Sequence, residues 1–179
     1  MKKRFNSTRF IILFVFLVMI SGFITGVAFA ANYLGSGHFE TNQMYRCHLG
    51  TYTTQNQNAS ATWSSSTDLD IAYDCANENI TTTGLDYGNT GWAGQAYICN
   101  IDGGCLNLNE PYASCIARSN VYYLRNWTTS QRQFNALHEL AHCWSLDHRQ
   151  SDSTSVTQQG QLSILQPNAT DISLVNARH

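Results

Sequence analysis

The stretch that decides the reading is "TTSQRQFNALHELAHCWSLDH", Thr128 to His148. Its first half announces a helix. Thr128, Thr129 and Ser130 are N-cap residue types, and Gln131 and Gln133 follow at the distance of a capping box. Phe134, Leu137, His138, Ala141 and His142 then recur at spacings of three and four, which places them along neighbouring faces of one helix. Its second half concentrates titratable groups. Three histidines and one glutamate fall between His138 and His148, in a chain with only six histidines and four glutamates.

On a helix His138 and His142 are one turn apart on one face, so both imidazoles can reach one ion. Glu139 sits one residue round the helix, close enough to take a proton from a water on that ion without ligating it. The bland alternative is a pair of helix histidines satisfied by backbone carbonyls. A closed site needs a third ligand. A later glutamate is excluded, because none follows Glu139; Asp147, Asp152, Asp171 and His148 remain. His148 qualifies only if the helix breaks near Ser145 and the chain turns back. Asp147 reads as a turn residue or as one that orients an imidazole from behind, not as a ligand.

Outward from this stretch, the N-terminal thirty residues form a separate unit. Lys2, Lys3, Arg4 and Arg9 precede the apolar run Phe10 to Ile20, and Ala28-Phe29-Ala30 offers a signal-peptidase site. Residues 1–30 therefore read as a signal peptide cleaved after Ala30, with retention as an N-terminal anchor as the alternative. Residues 31–179 have the length of a single domain. They contain no lysine, and six arginines face twelve acidic residues, which gives no electrostatic footprint for nucleic acid. All six cysteines lie in this part, an even count that suits disulfides in a secreted, extracellular protein. The short loop Ile101–Gly104 points to a Cys99–Cys105 bridge. No C-x-x-C pair supports a cysteine zinc site.

Before residue 127 the pattern is that of strands and turns. Leu69, Ile71 and Tyr73 alternate in "DLDIAYD", Ala96 and Ile98 in "GQAYIC", and "NVYYLRN" at 120–126 is a further candidate strand. Thr53 to Ser66 reads as either a short helix or a polar loop. Near the C-terminus "PNATDISLVNAR" predicts a second helix, started by Pro167 and Asn168, capped by Thr170 or Asp171, and packed through Ile172, Leu174 and Val175. Strands followed by helices give an α+β fold with a sheet packed on helices.

"HELAHCWSLDH" resembles the H-E-x-x-H-x-x-G-x-x-H signature of the metzincin zinc metallopeptidases, and "SLDH" is most similar to the matrixin branch and its bacterial secreted relatives. The resemblance implies a twisted mixed sheet packed on an active-site helix and a C-terminal helix. It also implies one catalytic Zn2+ on His138, His142 and His148, with Glu139 as general base in peptide-bond hydrolysis. "GWAGQAYI" at 91–98 looks like the sheet edge along which that family lays an extended substrate. Two positions depart from the pattern. Ser145 replaces the glycine of the helix-ending turn, a substitution costing about 1 kcal/mol at positive φ. Thr157 replaces the methionine of the turn beneath the metal, which predicts weaker support of the ligands rather than loss of zinc.

The expected partner is a protein or peptide substrate, with no nucleic acid, no stable membrane association after leader cleavage, and a monomeric state. Ca2+ beside Asp102 is a further candidate. Two other functional readings stand beside the zinc endopeptidase: a catalytically weak or inactive zinc-binding protein, suggested by Thr157, and a disulfide-bonded extracellular interaction domain.

Overall fold

β-Branched, aromatic and sulfur-containing residues dominate the buried positions of five strands: β1 (Gln43–Gly50), β2 (Asp70–Tyr73), β3 (Ile80–Leu85), β4 (Gly94–Asn100) and β5 (Tyr112–Asn120). The computed structural model describes residues 32–179, so the expected leader at 1–30 lies outside the described residues. The strands form one mixed sheet in the order β2-β1-β3-β5-β4. β1 pairs in parallel with β2 and β3, and β3 with β5, while β4 runs antiparallel to β5 and forms an edge. The alternation read in "DLDIAYD" holds for Leu69 and Ile71, which are buried, but Tyr73 is exposed on the other edge strand.

The parallel pairing of β1 and β2 needs a crossover, and α1 (Thr53–Ser66) supplies it, which settles the ambiguous segment as helix. Its polar composition hides one buried row that includes Asn56, Ala59, Ser60 and Trp63. Trp63 anchors this row: its Nε1 donates to the Leu137 carbonyl of α3 (Thr129–Cys143) at 3.2 Å. The core between sheet and helices is built from Met44, Ile80, Ile98 and Cys115 on the strands and Leu137, Leu140 and Trp144 on or next to α3. The expected α+β architecture is thus observed.

One strand expectation is overturned. Residues 120–126 do not extend the sheet; β5 ends at Asn120 and the short helix α2 (Val121–Leu124) follows. The aromatic and β-branched run suggested a strand, but the buried Asn120 side chain decides otherwise. Its Oδ1 accepts from Tyr122 N and Tyr87 N, and its Nδ2 donates to Gly88 O and Thr90 Oγ1. That set caps α2 and stops the ladder. The C-terminal helix α4 (Ala169–Asn176) is present, but its N-cap is Asn168, two residues before Thr170 and three before Asp171, the expected caps. Asn168 Oδ1 accepts from Thr170 N and Asp171 N, and Asp171 returns a carboxylate oxygen to Asn168 N. Leu174 and Val175 join the core as expected, whereas Ile172 is only half-buried.

Three disulfides pin these layers, each contributing about 2–4 kcal/mol. Cys99–Cys105 is the expected bridge; Cys47–Cys75 ties β1 to the segment after β2, and Cys115–Cys143 ties β5 to the last residue of α3. They point to an oxidising, extracellular-type environment. Among the described residues no helix is long and apolar enough to cross a membrane.

Candidate metal centre

The start of α3 is made locally. Thr128 accepts from Gln131 N, and the Gln131 side chain accepts from Thr128 N, the predicted capping box. Three turns later His138 and His142 emerge on one face. The helix then stops in a Schellman turn: Leu146 N donates to Ala141 O, Ser145 N donates to His142 O, and Ser145 adopts φ 70°. This break, expected near Ser145, carries His148 back to the two helix histidines.

The three Nε2 atoms converge. His138 and His142 are 3.1 Å apart at Nε2, His142 and His148 3.1 Å, and His138 and His148 3.3 Å. Backbone carbonyls fix the tautomers of the helix pair. His138 Nδ1 donates to Val156 O at 2.9 Å and His142 Nδ1 to Leu146 O at 2.7 Å, so in the neutral rings both Nε2 atoms carry lone pairs. Two lone pairs at this distance repel one another, and a shared cation reverses that sign. Four tetrahedral ligands about 2.05 Å from a zinc ion lie about 3.3 Å apart, a spacing these nitrogens match. The three rings could therefore hold one metal ion. Burial also prepares them electrostatically. It lowers His138 to about 3 and His142 to about 4, and it lowers His148 against the opposing pull of Asp147, so the rings are neutral donors at neutral pH.

Tertiary contacts hold the turn in its left-handed conformation. Leu34 N donates to Ser145 O at 2.9 Å, and Tyr33 forms a β-bridge with Leu146. Arg178 donates to Ser145 Oγ at 2.6 Å and to the Gly35 and Gly37 carbonyls, with its guanidinium 3.6 Å from the centre of the Tyr33 ring. The segment that supplies the Val156 carbonyl is held by polar contacts. Thr157 is fully buried and shares a 2.9 Å hydrogen bond with Ser155 Oγ, which donates to Asp171 Oδ1. Asp171 also accepts from Val156 N and from Arg149, so the carbonyl that orients His138 belongs to a residue held by the buried carboxylate of the Arg149–Asp171 ion pair. Thr157 is thus accommodated by hydrogen bonding rather than by filling an apolar floor. The sequence reading missed Arg149, Asp171 and Arg178 in these roles, because their partners lie across 15 to 143 residues.

Glu139 lies beside the triad and is 5% exposed. Burial raises its carboxyl to about 8, and a hydrogen bond from the Ala96 backbone opposes that shift. It fits only because β4 begins with glycine: a Cβ at Gly94 would collide with Glu139 Oε1 and come within 2.7 Å of Asn135 Oδ1. A cavity of about 340 Å³ opens here, reached by all three histidines, Glu139 and the β4 residues Gly94 to Ala96. Asp147 binds the His148 backbone N at 2.7 Å, while its carboxylate stands 3.9 Å from His148 Nδ1; it shapes the turn, and backbone carbonyls orient the helix imidazoles. Asp102 accepts from Gly104 N in a tight turn. Among the described residues His138, His142 and His148 are the one group of three or more side chains spaced to share a metal.

No protein-family model matches the chain, and no curated protein matches it in sequence. Solved structures do match in shape. A chain of the GM1-bound form of the ECX AB5 holotoxin superposes with a TM-score of 0.55 at 9% identity, over 83% of this chain and 86% of that one. Myroilysin superposes with a TM-score of 0.53 at 10% identity, over 81% of this chain and 96% of its own. At such identities the likeness is one of fold.

Proposed function

We propose that this protein is a secreted zinc-dependent endopeptidase of metzincin type, with His138, His142 and His148 as the zinc ligands and Glu139 as the general base. The observation that carries the reading is the convergence of three imidazoles, the helix pair turned inward by backbone carbonyls, beside the buried Glu139 carboxyl, at a cavity bordered by the β4 edge of the sheet. Zinc when bound supplies a Lewis acid that polarises a carbonyl and lowers the pKa of water.

The chain's own residues supply the rest. The outer edge of β4 is taken at Ile98 and Asn100 by the 104–106 segment, and the part of the edge before Ile98 can align an extended peptide, with its scissile bond facing Glu139. With a divalent cation held by His138, His142 and His148, Glu139 would be kept in its basic form and would accept a proton from the attacking water. It then returns that proton to the departing amine, so hydrolysis needs no covalent enzyme intermediate. Gly94 keeps the carboxylate in place, and Val156 O and Leu146 O keep the imidazoles turned inward. The leader at 1–30 would deliver a mature, monomeric chain to the oxidising exterior that the disulfides require.

The test is a comparison of wild type with Glu139→Ala. The wild-type protein is expected to purify with about one zinc per chain and to cleave a denatured protein substrate until a chelator is added. The variant should keep the zinc and lose the cleavage. Absence of zinc from both proteins would refute the site, and zinc without cleavage in the wild type would refute the hydrolytic role.

A further inference from the structure

Two cavities flank Glu139, and their walls differ in chemistry. The one on the Ile98 side holds the three histidines and has an aliphatic wall of Leu34, Ala96, Ile98, Leu106 and Leu108, with Gln95 and Gln159 beside it. The other, about 360 Å³, lies on the Gly94 side. Its walls include the half-buried indoles of Trp92 and Trp127, its inner wall carries Asn135, and Gln159 and Gln161 stand at the exposed rim. Glu139 is its single acidic residue, and neither lysine nor arginine lines it.

The orientation of Asn135 gives this cavity a polarity. The side chain is 5% exposed, and its Nδ2 donates to Ser119 Oγ at 3.0 Å, so its Oδ1 is the end turned towards Gly94. An inner wall presenting a carbonyl oxygen needs a hydrogen-bond donor from whatever fills the space. At the rim Gln159 accepts from Gln150 Nε2 through its Oε1, which leaves donor hydrogens on its nitrogen.

We propose that this cavity is a specificity pocket for a primary carboxamide side chain, glutamine or asparagine, of the bound peptide. This inference rests on the peptidase reading for its substrate class. A carboxamide is planar and packs against indole faces, its NH2 donates to Asn135 Oδ1, and its carbonyl accepts from the Gln159 amide. A carboxylate would lie beside Glu139 with no basic residue in the walls. A lysine would bring its charge towards the zinc, and an aliphatic side chain would bury Asn135 Oδ1 without a partner.

The experiment uses zinc-loaded wild-type protein, so that Glu139 stays in the cavity wall, and follows tryptophan fluorescence from the indoles beside the cavity by stopped flow, before peptide is consumed. Capped hexapeptides carry Gln, Leu, Lys or Glu at each position in turn in an otherwise constant background. At one position the Gln peptide is expected to bind at least about tenfold more tightly than the Leu, Lys and Glu peptides. Asn135→Leu should reverse the order of Gln and Leu. Gln159→Leu, at the exposed rim, should narrow the gap even if the Asn135 variant fails to fold. Equal binding of the four peptides at every position, or a Gln preference unchanged in a folded Asn135→Leu or Gln159→Leu protein, would overturn the assignment. A Gln preference in a protein whose wild type cuts no peptide would leave the pocket standing and remove the peptidase reading. Cleavage with no carboxamide preference would do the reverse.

Discussion

The two ends of α3 are built by opposite means. At its start, Thr128 and Gln131 satisfy each other's backbone groups within four residues. At its end, Ser145 stands at φ 70° with support from Leu34, Tyr112 and Arg178, the nearest of them 33 residues away in sequence. The first end needs nothing from the rest of the molecule. The second carries the candidate metal centre, and it depends on Leu34, on Tyr112 of β5 and on Arg178, two residues past α4. A non-glycine residue in a left-handed turn persists only where surrounding contacts over-determine it.

That contrast can be broken most severely by removing the metal. If zinc binds at a thousand times its Kd, chelation withdraws about 4 kcal/mol of stability. Hydrogen exchange should then accelerate from His142 to His148 while Gln131 to Phe134 stays protected; uniform acceleration would erase the distinction. Gly94→Ala acts next, on the partner of the second half of the helix. Displacing Glu139 should lower peptide hydrolysis by about 10² to 10⁴-fold with zinc content unchanged, as metal analysis beside a peptide assay would show.

Arg178→Ala tests the latch itself. Losing charge-assisted hydrogen bonds to Ser145, Gly35 and Gly37 is expected to cost on the order of 1.5–3 kcal/mol in denaturant unfolding. Acid should weaken the same end. His179 is lowered to about 4 by burial, with smaller contributions from His38 and Arg178, and its ring packs edge-on to Trp144. Because the folded pKa lies below the unfolded value of about 6.5, its contribution is complete above that pH and is lost as pH falls towards 4. A His179→Asn variant should flatten that part of the stability profile in pH-dependent unfolding. The smallest effect belongs to the self-sufficient end: Thr128→Ala should cost about 1 kcal/mol and leave zinc affinity unchanged by calorimetry.

Legibility followed the range of the interactions. The capping box, the i, i+4 histidines and the Cys99–Cys105 loop were readable because every partner lies within a few residues. Asn120 and Asn168 were harder. At Asn120 a local preference for strand in "NVYYLRN" yielded to a buried side chain whose partners come from the 87–92 loop as well as from Tyr122. At Asn168 two neighbouring cap types competed, and the reciprocal bond from Asp171 selected the earlier one. Gly94 carried a visible signal, a glycine at the head of an apolar alternation, but nothing in the sequence says which carboxylate approaches it.

The sequence by itself determined that a helix begins at Thr128, that two imidazoles share its face, and that a carboxylate stands next to the first of them. Tertiary structure decided that the third imidazole reaches the same point and that its turn is held. It also decided that Val156 O orients His138 and that a glycine admits Glu139. The difference is physical. Helix periodicity and capping are set by hydrogen bonds that close within one turn, whereas the centre closes through a strained residue and polar partners that only the packed chain brings within bonding distance.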